Sequence, residues 1–201
     1  MPIPINLVYE DELSEFVISR LLGCFDNKFF TGTSYNGRGF GYIKSNVNGF
    51  NQASVAIPFF VLTDLDNYDC PLTLIGDWFS RPQNPNMIFR IAIREVEAWL
   101  LGDKEGFAGY IGISQTNIPN NPESESDPKR TLISLVARSR RRSIKEDILP
   151  INQNASIGPN YNGRLMEFVL EHWNIERAIE NCESLRRAYK RLEDFNYQIP
   201  N

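Results

Sequence analysis

The run Ile57-Pro58-Phe59-Phe60-Val61-Leu62-Thr63 is almost continuously apolar and ends in Asp64-Leu65-Asp66. An apolar run of that length without alternation predicts a strand buried on both faces, as in parallel sheets covered by helices. Side chains at i and i+2 of an extended segment share a side, so Asp64 and Asp66 are expected to emerge together at the strand's carboxyl end, where open α/β sheets place their ligands. Two convergent carboxylates suit a hard divalent cation, because Mg²⁺ takes one or two of them and keeps water or phosphate oxygens in its other positions. The same residues also read as a polar strand exit with turn-forming aspartates before Asn67.

A second acidic cluster strengthens the metal reading. Pro4 to Tyr9 predicts a short first strand, and Glu10, Asp11, Glu12 and Glu15 follow it. Leu13, Phe16, Val17, Leu21 and Leu22 recur close to helical spacing, so Glu10 stands where a strand turns into a helix. Asp11 and Glu12 suit the positive end of that helix. Such a preference explains acids in a first turn, but not why two separate strands both end in them.

A strand ending in glutamate, a helix, and a later strand ending in Asp-x-Asp resemble the topoisomerase/primase (TOPRIM) domain of topoisomerases, primases, recombination proteins and OLD-type nucleases. The pieces VYEDELSE, LTDLDNYDCP, FRIAIREVEAWLLGD, DPKRTL, RSRRRSIKEDILP and GPNYNGRL together resemble a small bacterial TOPRIM-like family of unassigned function, over most of the chain. The glycine that usually follows the family's glutamate is replaced by Asp11. The resemblance implies Mg²⁺-dependent phosphodiester chemistry on nucleic acid, with Mn²⁺ as a substitute. Glu10 would act as general acid/base or metal ligand, Asp64 and Asp66 would hold the ion, and Asp11 is a further candidate ligand. A metal-bound water has a lowered pKa, and the ion stabilises charge developing on the phosphate. Relatives of this kind are often encoded beside ABC-type or SMC-like ATPases and act in phage defence, which implies an ATPase partner. A catalytically silent module that uses the same scaffold to engage such a partner is the competing reading.

Further along, Met87 to Ile93 predicts another buried strand, and Leu72 to Phe79 a helix before it. Arg94 to Asp103 reads as a helix with an Arg94–Glu97 pair and an apolar face of Val96, Trp99 and Leu100. Because this cluster follows a strand and belongs to the resemblance, Glu95 or Glu97 is expected to complete the acidic site, with Glu97 preferred. Thr31 to Ser54 is rich in Gly, Asn and Ser. Its Gly37-Arg38-Gly39-Phe40-Gly41 lacks the Lys and Ser/Thr of a Walker loop and is not a full GxGxxG, so a flexible loop is expected. Val47 to Ala56 is left as a helix or an irregular crossover.

Ser114 to Asp127 reads as a loop, and Asp127-Pro128 opens a helix over Lys129 to Arg138. Lys129 is a candidate to meet a scissile phosphate, as basic residues do in related nucleases, or is surface charge. Arg138, Arg140, Arg141, Arg142 and Lys145 form a basic stretch that can neutralise phosphates or decorate a solvated helix end. The turn Gly158 to Asn162 precedes a helix, and a final helix is expected from about Glu176 to Phe195. The expected organisation is α/β: a TOPRIM-like, mostly parallel core over 1–113 and a helical extension over 114–201 packed on it. A net charge of −4 argues against a globally basic nucleic-acid coat. Three cysteines without zinc spacing favour a reducing cytoplasm, and no apolar run is long enough for a bilayer. The single histidine, His172, makes a His-rich metal site or a histidine-based nuclease a poor fit. Homo-oligomerisation is left open.

Overall fold

A computed structural model describes residues 1–198. The chain divides into two units, Met1–Ile93 with Arg186–Asn201, and Arg94–Leu185. The boundary therefore falls directly after the last strand, not at 113, and the described residues from Arg186 onward belong with the sheet. The expected α/β architecture with a parallel sheet flanked by helices, the layout implied by the TOPRIM resemblance, is borne out.

In the first unit, β1 (Ile3–Tyr9), α1 (Glu12–Leu22), β2 (Phe29–Asn36), α2 (Phe40–Ala53), β3 (Phe59–Asp64), α3 (Pro71–Trp78) and β4 (Met87–Ala92) follow one another. All strand pairs are parallel, in the order β2-β1-β3-β4. Val8, Phe59, Val61, Met87, Phe89 and Ile91 point to one face, where Ile43, Val47 and Phe50 of α2 and Leu74 and Trp78 of α3 cover them. Alternation sends Ile5, Leu7, Phe60 and Leu62, all fully buried, to the other face. Right-handed crossovers place α1 there, because the chain reverses its direction across the sheet after β2.

The Thr31–Ser54 segment is not a flexible loop. It forms β2 and α2: Gly32 and Asn36 belong to an edge strand exposed along most of its length, and Gly41, Gly49 and three asparagines lie within the helix. Such a strand lacks the apolar signal of a buried one. β1 and β2 slip register between Ile5 and Leu7, and the buried Asn6 repairs the ladder by accepting the Thr33 N–H at 2.8 Å. Asn6→Ala is expected to cost about 1–2 kcal/mol by removing that partner, read from the urea midpoint at unchanged m-value.

The second unit is helical: α4 (Val96–Gly102), α5 (Lys104–Ile111), α6 (Pro128–Ala137), α7 (Arg142–Ile148), α8 (Tyr161–Glu171) and α9 (Ile175–Asn181). Every residue of α4 is buried, and the Trp99 indole donates to Ser184 Oγ at 2.7 Å. Phe107 and Phe168 pack edge to face at 5.2 Å. The single final helix expected from Glu176 is instead two, because the helix stops at Asn181 and Cys182 turns extended, its thiol donating to Ala98 O at 3.2 Å. α10 (Glu183–Glu193) follows. From Arg186 onward the chain is part of the first unit, where Tyr189 meets Phe25 at 4.9 Å and Phe195 meets Phe29 at 5.6 Å. Lys28 Nζ caps the helix's last turn on Leu192 O at 3.0 Å and Glu193 O at 2.6 Å. Among the described residues no helix is long and apolar enough to cross a membrane.

Candidate active site at the sheet's carboxyl edge

β1 neighbours both β2 and β3, yet the chain visits β2 first, so the crevice between the carboxyl ends of β1 and β3 is the sheet's topological switch point. Open α/β sheets place ligands at such points. Glu10 and Asp64 stand there. The parallel register pairs Val8 with Val61, and two steps further along each strand Glu10 comes alongside Thr63. Thr63, fully enclosed, donates its hydroxyl to Glu10 Oε1, and the Asp64 N–H donates to the same oxygen at 2.9 Å. Glu10 is thus held through Oε1, leaving Oε2 available for water, a cation or substrate. Burial raises the Glu10 pKa above its ordinary value. The hydrogen bonds from Thr63 and Asp64 oppose that rise, and the nearby Asp66 and Asp11 charges add to it.

Asp66 reaches the site by a different route from the one expected. β3 ends at Asp64, so the i, i+2 alternation of a strand does not extend to Asp66, which has φ 48° in the left-handed region. Leu65 fixes the exit: it is buried among the core residues and its N–H bonds to Ala92 O at 2.9 Å. Aspartate tolerates this backbone better than most residues. Among the described residues three non-glycine positions have positive φ, Arg38, Asp66 and Arg94, and each lies two positions past the end of β2, β3 or β4. Backbone strain is thus concentrated just past strand ends, the pattern expected where a site, rather than stability, dictates conformation.

Asp64 and Asp66 share an open cleft with Phe40, Asn67, Tyr68 and Trp78. One wall is braced by a polar network in which the Tyr68 hydroxyl donates to Asp77 at 2.5 Å and accepts from the Trp78 indole at 3.1 Å, while Lys44 pairs with Asp77 at 2.6 Å. Asp11 is the N-cap of α1, accepting the Ser14 N–H at 2.9 Å. That capping bond engages one of its two carboxylate oxygens.

Within the second unit, Glu95, Glu97 and Lys129 come together. Arg94 stands before α4 with φ 64°, outside the helix, so the expected intrahelical Arg94–Glu97 geometry does not arise. Glu97 is buried and accepts from the Tyr161 hydroxyl at 3.0 Å. Lys129 Nζ lies 3.5 Å from Glu97 and 4.0 Å from Glu95, and the Lys129 N–H at the start of α6 donates to Glu95 at 2.9 Å. Both glutamates therefore turn towards Lys129. The basic stretch is not one helix end: α6 stops at Ala137, and Arg138, Arg140, Arg141 and Arg142 lie exposed at the turn into α7. Arg142 pairs with Glu146 at 2.7 Å, and Lys145 is half-buried on α7.

Thr63 and Tyr161 were not foreseen as site residues. Thr63 carried a signal, as the one hydroxyl in the apolar run before Asp64; Tyr161 lies 64 positions from Glu97 and carried none. His172, exposed after α8, groups with Glu167 and Glu171, whose ligand atoms with its own all lie within 4.8 Å of one another. Among the described residues no other group is so tight, and Glu167 is already paired with Arg164 at 2.7 Å. Glu10, Asp64 and Asp66 do not form so tight a group.

No protein-family model and no curated protein matches the sequence. Among solved structures, the chain is similar to the C-terminal region of the Burkholderia pseudomallei OLD protein, with 18% identity, 96% of this chain and 98% of that chain covered, and a TM-score of 0.48.

Proposed function

We propose that the protein is a Mg²⁺-dependent nuclease that hydrolyses phosphodiester bonds, with Glu10, Asp64 and Asp66 as its working residues. The observation that carries this reading is the position of three acidic residues at the β1/β3 switch point, with Glu10 locked in orientation by Thr63 and the Asp64 backbone. Glu10 is half-buried, and burial, with neighbouring acids, raises its pKa despite the two donors on one of its oxygens. Such a cost is the mark of a group kept for chemistry. The all-oxygen donor set of Asp64 and Asp66 suits a hard cation, with Mn²⁺ an accepted substitute. When bound, the ion would supply an activated water and charge stabilisation at the phosphate.

The chain's own residues do the rest. Asp64 and Asp66 fix the position of charge at the cleft floor. Glu10 Oε2 takes or returns a proton, its pKa moved towards neutrality where such transfer is efficient. Asp11 stands beside Glu10 as a secondary ligand through its remaining oxygen. Exposed arginines at the α6–α7 turn support nucleic acid as the substrate class, since guanidinium groups neutralise backbone phosphates. The resemblance of the VYEDELSE and LTDLDNYDCP segments to TOPRIM nucleases points the same way, and with it to an effector role beside an ATPase in phage defence.

The test is cleavage of supercoiled DNA, single-stranded DNA and RNA in Mg²⁺ and Mn²⁺ by wild type and by Asp64→Asn/Asp66→Asn. Metal-dependent cleavage by wild type, lost in a variant whose circular dichroism and melting are unchanged, is expected. Retained cleavage by the folded variant removes these aspartates from the mechanism.

A further inference from the structure

The Gly37-Arg38-Gly39-Phe40 segment is a fixed turn. Gly37 N–H bonds to Tyr9 O at 2.7 Å and Gly39 N–H to Glu10 O at 2.9 Å, so the turn is fastened to the backbone of the acidic site itself. Arg38 N–H bonds to Asn36 Oδ1 at 2.9 Å. Arg38 has φ 50° and Gly39 φ 115°, the latter a conformation that only glycine adopts without strain. A Cβ at Gly37 would approach Tyr9 O to 3.1 Å and Ile43 Cγ1 to 3.2 Å, so the turn sits tight against β1 and α2.

This rigid turn holds two side chains out. Arg38 is exposed and makes no side-chain ion pair among the described residues. Phe40 is 48% exposed at the first position of α2. A lone exposed phenylalanine on a surface needs no explanation, but Phe40 lines the same cleft as Asp64 and Asp66. An aromatic face presented beside a phosphodiester-cleaving site offers a base a stacking platform, which an intact duplex, with its bases already stacked, cannot use. The neighbouring guanidinium offers charge to a phosphate.

We propose that the Gly37–Phe40 turn is a binding subsite for an unpaired nucleotide, in which Phe40 stacks on the base and Arg38 contacts an adjacent phosphate, so that the substrate is single-stranded nucleic acid or a frayed end. The proposal rests on the nuclease reading for its substrate class and names the form of that substrate. Unlike a basic groove, which follows the backbone alone, this subsite makes affinity depend on the presence of bases.

The experiment is fluorescence anisotropy in Ca²⁺ with a labelled oligothymidylate, an abasic chain of the same length, and a duplex. Wild type is expected to bind the oligothymidylate more tightly than the other two. Phe40→Ala should lower oligothymidylate affinity by at least about fivefold and leave abasic binding unchanged, while Phe40→Tyr restores the preference. Arg38→Ala should weaken both single-stranded probes alike. Equal wild-type affinity for thymidylate and abasic chains, or a Phe40→Ala variant that keeps the preference, overturns the proposal. Because binding is read without cleavage, either result stands apart from the Asp64→Asn/Asp66→Asn test. Cleavage retained by that variant would sink the nuclease site while leaving a base-dependent affinity at Phe40 intact.

Discussion

Glu10→Gln is expected to slow cleavage by at least about a hundredfold and, in metal-free buffer at neutral pH, to raise the melting temperature. The two effects have one origin. The glutamine carbonyl oxygen can still accept from Thr63 Oγ1 and the Asp64 N–H, the two donors that hold Glu10 in place. What the amide lacks is a charge. Burial is the largest influence disfavouring that charge, and Asp66 and Asp11 add repulsion. The folded protein therefore binds the Glu10 proton more tightly than the unfolded chain does. This contribution to stability is fully present below the unfolded pKa and is lost as pH rises through the raised folded value. Melting curves in EDTA should show wild type falling below Glu10→Gln as pH increases across that window, with the two converging in acid. Mg²⁺ should narrow the gap at neutral pH by offsetting the repulsion. A Glu10→Gln variant that cleaves normally would dismiss Glu10 as the proton-transfer group; one that melts lower than wild type at neutral pH would show that its charge stabilises the fold.

That behaviour was only partly legible in the sequence. The apolar run from Ile57 and the acids at 10, 64 and 66 were visible because a strand buried on both faces leaves a dense local signal. The contact between Thr63 and Glu10 was not, because it depends on the register between two strands 53 positions apart. β2 was missed for the opposite reason: an exposed edge strand buries little, so Thr, Gly and Ser there look like loop. α2 was obscured by Gly41, Gly49 and its asparagines, which lower helix propensity, although Ile43, Val47 and Phe50 keep the helical period and are buried. The expectation that Asp64 and Asp66 emerge together agrees with their shared cleft, but the argument for it was incomplete. Asp64 ends a strand, and Asp66 joins the cleft only through a left-handed turn that Leu65 anchors. The boundary at Ile93 rather than 113 was hidden because α4 continues directly from β4 in sequence, and its all-round burial gives no amphipathic period to mark a new unit.

The largest loss of stability is expected in the second unit, from Asp103→Ala. Asp103 is fully buried at the junction of α4 and α5, where it accepts from Gly106 N–H at 3.0 Å and caps α5. Its carboxylate also accepts from Asn174 N–H at 2.8 Å, just ahead of α9, and from Arg177 through Nε at 2.6 Å and Nη2 at 3.1 Å. One side chain thus joins two helix starts and a two-pronged guanidinium. Gly106 leaves no room for a substitute arrangement, since a Cβ there would come within 2.1 Å of Asp103 Oδ2. Removing the carboxylate orphans two backbone donors and strands a guanidinium, a class of change that costs about 3–5 kcal/mol. Arg177 is 38% exposed and keeps some water contact, which favours the lower end. The converse variant, Arg177→Met, leaves a fully buried anion with only its two backbone donors and is expected to cost a comparable amount. Denaturant titration of both singles and the double measures the coupling, because the double removes the pair together and should lose less than the sum. Hydrogen exchange locates the damage: faster exchange in α5 and α9, with β1 and β3 still protected, is the expected pattern. If Asp103→Ala costs less than about 0.5 kcal/mol, the range normal for surface sites, the buried cluster is not what holds α5 to α9.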